Sequence, residues 1–429
     1  AYSRPGSGTY VSNPDLAAAC TPAHNGIIAD ELYQQDDIQM IAGGQIKIDE
    51  STVNFASATP TPDLFPVDDF KQALNEVLER DKGNAFEYQD SQGFYPLREC
   101  IAEVLGKSFS TGTPENIQVI SGAQQGIDII SKAFLREGDF VITESPTYTG
   151  AIAVFKSRGA EIAGVELEND GPNLSIMEYN LKKYKPKLIY TIPSFQNPTG
   201  ISYSMEKRMR ILELAHVHDA YIIEDDYVSD LDFEGKRYLP LKALDKRDRV
   251  IFIKSFSKIF MPGLRLGFMV VPPGLKAKIM EAKHSSDIST SGLIQRAFDL
   301  YIRKGYWDKH FTFMYEIYRE RYMKISDALE RNLPPTVSFH KPGGGLNIWL
   351  NLPYGFSVGS LAKRAAYDNI VFAPGKIFYS SNCAQPLNNL RLSFAAVYAD
   401  QISSGIGKLC ELMCSMTGKQ NGYRNIPVL

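Results

Sequence analysis

Residues 250–271 read VIFIKSFSKIFMPGLRLGFMVV. Both ends of this stretch, 250–256 and 264–271, are runs of β-branched, aromatic and aliphatic side chains interrupted only by Lys254, Ser255, Arg265 and Gly267. Continuous rather than alternating hydrophobicity marks strands buried on both faces, which is the situation in a mostly parallel sheet covered by helices. The same texture recurs in IQVIS (117–121), DFVITE (139–144), AEIAGVEL (160–167), KLIYTIP (187–193) and AYIIEDD (220–226). Between these runs lie amphipathic segments such as QQGIDIISKAFL, TGAIAVFKSRG and MEKRMRILELAHV, whose apolar residues follow a helical period. Seven strands alternating with helices predict an open α/β domain over about 101–320. A helical stretch at 293–332 leads into a smaller α+β C-terminal domain, 321–429, which contains KPGGGLNIWL and NNLRLSF.

Ligands of open parallel sheets bind beyond the carboxyl ends of the strands. Polar residues cluster at those ends: Gly122, Ala123 and Gln124 after the first run, Tyr148 after the second, then Asn197, Asp225 and the Ser255–Lys258 group. A lysine at a strand end is ordinarily solvated. Stripped of water and set beside other cations, its amine loses proton affinity and becomes a nucleophile for an aldehyde. Pyridoxal 5′-phosphate is such an aldehyde, and its chemistry needs helpers. Asp225 suits the ring nitrogen, because a carboxylate at the end of a buried strand needs a partner; Asp226 reads as a surface loop acid. Asn197 and Tyr227 can each donate to a ring oxygen, and Tyr148 can stack on the ring. Gly122, Ala123 and Gln124 open a helix whose N–H groups favour an anion, with Ser255, Ser257 and Arg265 as further donors to a phosphate. Arg391, on an apolar strand, is either a fork for a substrate carboxylate or one half of an internal salt bridge.

In this order, QNPTG around Asn197, EDDY around Asp225 and Tyr227, and SFSK followed seven residues later by Arg265 resemble the fold-type I pyridoxal-phosphate aminotransferases over about residues 51–415. The resemblance implies Lys258 as the Schiff-base lysine, with Asp225 and Tyr227 beside it in the catalytic set. It implies the phosphate, ring and carboxylate roles just given for the other residues. It also implies a homodimer, in which YQDSQGFYPLR (88–98) reaches the partner's site and Tyr88 lies near the partner's phosphate.

The opening, SRPGSGTYV, resembles the last wing strand of GntR-type winged-helix DNA-binding domains, which in MocR-type regulators precede a linker and an aminotransferase-like domain. Residues 1–11 are accordingly read as a remnant of that wing, one strand whose hairpin partner lies upstream. Residues 12–50 are read as a linker with a short helical piece near 27–35, and 51–100 as an N-terminal arm and dimer-contact segment. Two functions follow. One is an effector domain that senses an amino acid or amine by aldimine exchange at Lys258 and reaches DNA only through an upstream module. The other is a free-standing aminotransferase acting on a 2-amino acid and a 2-oxo acid.

Composition bounds the remaining classes. The 429 residues carry a net charge of −3, which leaves no basic field to hold nucleic acid. Five scattered cysteines argue for a reducing compartment rather than a disulfide framework. Cys410 and Cys414 are expected as buried thiols of a helix, and the histidines of HVH (216–218) as helix-end residues, so no metal site is expected. No apolar run approaches a membrane span, and the expected location is the cytoplasm.

Overall fold

The computed structural model describes residues 2–4, 8–10, 51–105, 112–380 and 388–417. The chain divides into two units, 1–49 and 50–429. In the first, β1 (Tyr2–Arg4) pairs antiparallel with β2 (Gly8–Tyr10), Tyr2 opposite Tyr10. The expectation that this strand lacks its partner is therefore corrected. The Pro-Gly-Ser turn sequence lies between two complementary three-residue strands, and YSR supplies the hairpin's other half. The helical piece expected near 27–35 lies outside the described residues.

The second unit opens with β3 (Val53–Asn54), α1 (Val67–Asp81) and α2 (Tyr95–Cys100). The large sheet and its helices follow as β4 (Ile117–Ile120), α3 (Ala123–Phe134), β5 (Phe140–Ser145), α4 (Thr149–Ser157), β6 (Glu161–Glu168), β7 (Gly171–Pro172), α5 (Leu174–Tyr184), β8 (Leu188–Thr191), α6 (Met205–Val217), β9 (Tyr221–Asp226), α7 (Leu241–Leu244), β10 (Val250–Ser255) and β11 (Gly267–Val270). Spatial order is β4-β11-β10-β9-β8-β5-β6-β7. The seven expected strands are all present, with β11 antiparallel to its neighbours, and the two-residue β7 extends the edge.

Alternation along each strand sends neighbouring residues to opposite faces. On one face Ile142, Ile189, Ile222 and Val250 pack with Met177 and Leu181 of α5 and Ile211 and Leu214 of α6. On the other, Val141, Leu188, Ile223 and Ile251 join Ile127 and Ile130 of α3 and Phe155 of α4. Each such side chain contributes about 1.5–3 kcal/mol on burial, which is why the strands read as unbroken apolar runs. Helix starts are specified locally: the Asn173 side chain accepts from the N–H of Ile176 (3.0 Å) and Ser204 from Lys207 (3.3 Å).

The chain continues as α8 (Lys276–Asp287), α9 (Gly292–Arg303) and α10 (Tyr306–Asn332). The helical stretch expected over 293–332 is broken at Gly305, whose φ of 76° ends one helix and begins the next. Helix α10 runs through residue 320 without interruption. The smaller part comprises β12 (Ser338–Phe339), β13 (Asn347–Asn351), α11 (Val358–Tyr367), β14 (Ile370–Val371), β15 (Ala373–Pro374), β16 (Asn389–Ser393) and α12 (Ala399–Thr417). Strands β12, β13, β16 and β15 form an antiparallel sheet, while β14 pairs in parallel with β3 and so ties the N-terminal arm to the C-terminal region. On α12, Cys410 is buried with Ile402, Ile406, Leu409 and Met413, but Cys414 is exposed. The expectation of two buried thiols thus holds for one of them, because Met413 and Met416 carry the packed stripe past Cys414, which lies off it.

The triple glycine of KPGGGLNIWL is a close approach of two backbones. A Cβ on Gly344 would stand 2.1 Å from the carbonyl oxygen of Leu231 and 2.6 Å from the ring of Phe195. Gly344→Ala is expected to cost about 1–3 kcal/mol through overpacking, measured as a lower denaturation midpoint at unchanged slope. An unaltered midpoint would show that the two segments part freely.

Candidate active site

Three acids close β9, and each meets a different fate. Glu224 accepts from the backbone N–H groups of Leu241 (2.7 Å) and Lys242 (2.8 Å) and so anchors the start of α7. Asp226, expected on the surface, is buried and ion-paired with Lys254 at 3.1 Å. That expectation fails because Lys254, one strand across and itself 3% exposed, requires an anion. Asp225 points into the site, where the hydroxyl of Tyr190 donates to its Oδ2 at 2.6 Å. Its Oδ1 is buried without a partner. Burial is the main cause that pushes this carboxyl up to about 7, the Tyr190 hydrogen bond opposing it.

Lys258 lies in the turn after β10. That turn is pinned by its apolar neighbours: Phe256 and Phe260 sit 4.9 and 5.3 Å, centroid to centroid, from Phe298. The hydroxyl of Tyr318 donates to the Lys258 carbonyl oxygen at 2.8 Å. Burial, then the guanidinium groups of Arg391 and Arg265, lower its ammonium to about 8, against the pull of Asp225. Four residues earlier, burial also disfavours the charge of Lys254, but Asp226 and Asp230 outweigh it and its pKa is raised.

The turn expected to cradle an anion is the start of a helix. Gly122 is the N-cap of α3 with φ 85° and no capping side chain, so the first N–H groups of the helix remain available. Arg265 is in the left-handed conformation (φ 53°), and its Nη2 donates to the carbonyl oxygen of Ser121 at 3.0 Å. A Cβ on Gly122 would come within 2.5 Å of that nitrogen, so only glycine admits the guanidinium here. Ala123 opens the helix. Ser255 is buried, and its hydroxyl accepts from the Ser257 N–H at 3.3 Å. The side chain of Gln124 is committed elsewhere: it donates to the Gly150 carbonyl oxygen (2.9 Å) and accepts from the Tyr148 hydroxyl (3.1 Å). Gln124 therefore offers a phosphate its backbone N–H while holding the Tyr148 ring.

On the opposite side, Arg391 is buried on β16, and among the described residues no carboxylate pairs with it. Its Nη1 donates to Asn197 Oδ1 (3.1 Å), its Nη2 to the Ala56 carbonyl oxygen, and its Nε is buried without a partner. Burial lowers it to about 10. Of the two readings of this residue, the internal salt bridge is not made. Tyr227 donates to the Phe195 carbonyl oxygen (2.6 Å) and accepts from Asn347 Nδ2 (3.0 Å), so its one proton must leave Phe195 before it can serve a ring oxygen. Tyr88 is 84% exposed and takes no part in this cluster within one chain.

A cationic cradle, a lysine of lowered proton affinity, an orphaned carboxylate oxygen and an unpaired guanidinium form one constellation. The model of the aminotransferase class I and II family matches residues 50–409. The chain belongs to that family. Family membership brings pyridoxal 5′-phosphate as cofactor, and the residues fit it: Asp225 Oδ1 lacks only a ring N–H, and the Gly122 turn lacks only an anion. Aromatic-amino-acid aminotransferase 1 of Thermococcus litoralis is 34% identical over 365 residues, 84% of this chain and 87% of that one. The probable rhizopine catabolism regulatory protein MocR of Rhizobium meliloti is 28% identical over 411 residues, 95% of this chain and 82% of that one. Among solved structures, the α-aminoadipate aminotransferase LysN of Thermus thermophilus, complexed with N-(5′-phosphopyridoxyl)-L-leucine, superposes with a TM-score of 0.80 at 32% identity, covering 88% of this chain and 98% of that one.

Tyr190, Asn347 and Gly150 escaped sequence reasoning. Tyr190 sits within an apolar strand run and Asn347 among glycines and aliphatics, so neither stands out until the fold sets Tyr190 against Asp225 and Asn347 against Tyr227. Gly150 leaves room for the Tyr148 ring, which a Cβ would approach to 2.5 Å.

Two measurements check the electrostatics. Folding raises the Asp225 pKa from 3.8 to about 7, so the folded, cofactor-free chain holds this proton more tightly than the unfolded one. The penalty for ionising it is absent below about pH 4, grows as pH rises towards 7 and is complete above. Asp225→Asn should therefore stabilise the cofactor-free protein at pH 8, on the order of 1–4 kcal/mol, and not at pH 4; equal midpoints at pH 8 would contradict this. Modification of Lys258 by an amine-directed reagent should rise with a midpoint near pH 8. In Arg391→Met that midpoint should move upward, because a neighbouring positive charge is gone; a downward shift would refute the assignment.

Proposed function

We propose that this chain holds pyridoxal 5′-phosphate on Lys258 and takes a 2-amino acid by its carboxylate on Arg391, as the effector-binding and dimerisation portion of a MocR/GntR-type transcription regulator. The observation that carries the amino-acid reading is the buried, anion-less guanidinium of Arg391, bonded to Asn197 and electrostatically felt by Lys258. When bound, the cofactor supplies an aldehyde carbon and an electron-withdrawing ring. Asp225 Oδ1, which has no partner within the protein, would accept from the ring nitrogen's N–H, and Tyr190 keeps that carboxylate aimed. Gly122, Ala123, Gln124, Ser255, Ser257 and Arg265 would hold the phosphate, Tyr148 would cover the ring, and Asn197 with Tyr227 would address its oxygen. Lys258, whose proton affinity is lowered in the cofactor-free chain, would be the group to accept or return a proton at the substrate α-carbon.

The regulator reading is supported by the likeness to MocR, which extends over 95% of the chain, and by the hairpin at residues 2–10 ahead of the linker. It places the chain in the cytoplasm as a homodimer in which Tyr88 reaches the partner's phosphate, and it assigns DNA contact to an upstream winged-helix module. Among the described residues no helix is long and apolar enough to cross a membrane. The enzyme reading, a free-standing aminotransferase, is favoured by the higher identity of the Thermococcus enzyme.

Absorption spectroscopy separates the two. The chain mixed with pyridoxal 5′-phosphate should turn yellow, the colour should become fixed on borohydride reduction, and Lys258→Ala should lose it. A panel of amino acids should shift the spectrum in one slow turnover, without sustained conversion when a 2-oxo acid is added. Rapid multiple turnover would establish the enzyme in place of the regulator, and a protein that stays colourless would remove both.

A further inference from the structure

The cradle at Ser121–Gln124 is held from behind by a half-buried relay outside the motifs that define the site. Gln125 Oε1 accepts from the Ser121 N–H at 2.7 Å, and Gln125 Nε2 donates to Asp287 Oδ2 at 2.6 Å. The other oxygen of Asp287 takes the ammonium of Lys283, a side chain with 0% exposure. The amide of Gln125 has one orientation only: turned over, it would set N–H against the Ser121 N–H and oxygen against carboxylate. Asp287 has no freedom either, because a wholly buried lysine needs its charge. The Ser121 turn is thus gripped on its N–H by Gln125 and on its carbonyl by Arg265. The last turn of α8 and the residues after it also hold the 88–98 segment, through Ser91 Oγ to the Ile288 carbonyl oxygen at 2.7 Å and to His284 Nδ1 at 2.9 Å.

We propose that Gln125 and Asp287 are positioning residues for the anion cradle, which make the C-terminal turn of α8 a working part of phosphate recognition. They touch no phosphate themselves. They fix the direction in which the N–H groups after Gly122 point, and so set how strongly the chain prefers a phosphorylated ligand over the same ligand without phosphate. The proposal rests on the pyridoxal-phosphate reading, and wild-type binding tests that reading separately.

Pyridoxal 5′-phosphate and pyridoxal are titrated into the cofactor-free wild-type chain and into Gln125→Leu, which removes both amide bonds and leaves the Lys283–Asp287 pair intact. The variant is expected to lose tenfold or more in affinity for the phosphate ester and less than twofold for pyridoxal, so the ratio of the two collapses. A folded variant with the wild-type ratio overturns the proposal. If the variant does not fold, hydrogen exchange on the wild type decides. Inorganic phosphate should slow exchange in 121–126 and 283–290 together, and slowing confined to 121–126 would overturn the proposal. A wild type that binds neither aldehyde condemns the cofactor reading instead.

Discussion

Two lysines four residues apart, on one strand and the turn that follows it, are separated in chemistry by the distribution of carboxylates. Both are largely taken out of water, which disfavours an ammonium. Lys254 has Asp226 and Asp230 as ion-pair partners and stays charged, a structural cation that ties β10 to β9. Lys258 has Arg391 and Arg265 acting on it, against the single opposing pull of Asp225, and burial with these charges brings it down to about 8. Every proposed role of the site depends on this inequality, because an amine fully charged at neutral pH cannot attack an aldehyde.

The acids of β9 carry the complementary half of the arrangement. Alternation along the strand separates Glu224 from Asp225, so one carboxylate secures α7 while the next faces the ligand crevice. Asp225 is kept partly unsatisfied: one oxygen has Tyr190 and the other has nothing. A buried group in that condition lowers the stability of the protein that bears it, a cost commonly met at functional sites. The aromatic packing of Phe256 and Phe260 with Phe298 is part of what holds the Lys258 turn in place.

Much of this was legible in the sequence. The seven strands announced themselves as unbroken apolar runs because both faces of the sheet are covered, and the strand-end rule gathered Asp225, Asn197, Tyr148 and Lys258 at one edge before any geometry was known. Other elements were illegible for physical reasons. The partner of the N-terminal strand was missed because three residues show no period. Asp226 was taken for a surface acid because its counter-ion is remote in sequence. Tyr190, Asn347, Gln125 and Asp287 carry no local signal, since their meaning lies in a neighbour brought close by the fold. Cys414 is exposed, and the four-residue spacing from Cys410 does not by itself fix which side of the packed stripe a residue falls on.

The guanidinium of Arg391 has five N–H bonds, and its contacts to Asn197 and Ala56 use only part of them. Its Nε is buried without a partner while the other contacts hold the side chain in place, so on the proposed amino-acid reading an incoming carboxylate would require little to reorganise. On the same reading a simple amine, with no negative group to offer, would forgo the gain that a 2-amino acid makes. Discrimination between the two classes of molecule would then be a property of dehydration around one side chain, set before the cofactor's chemistry begins.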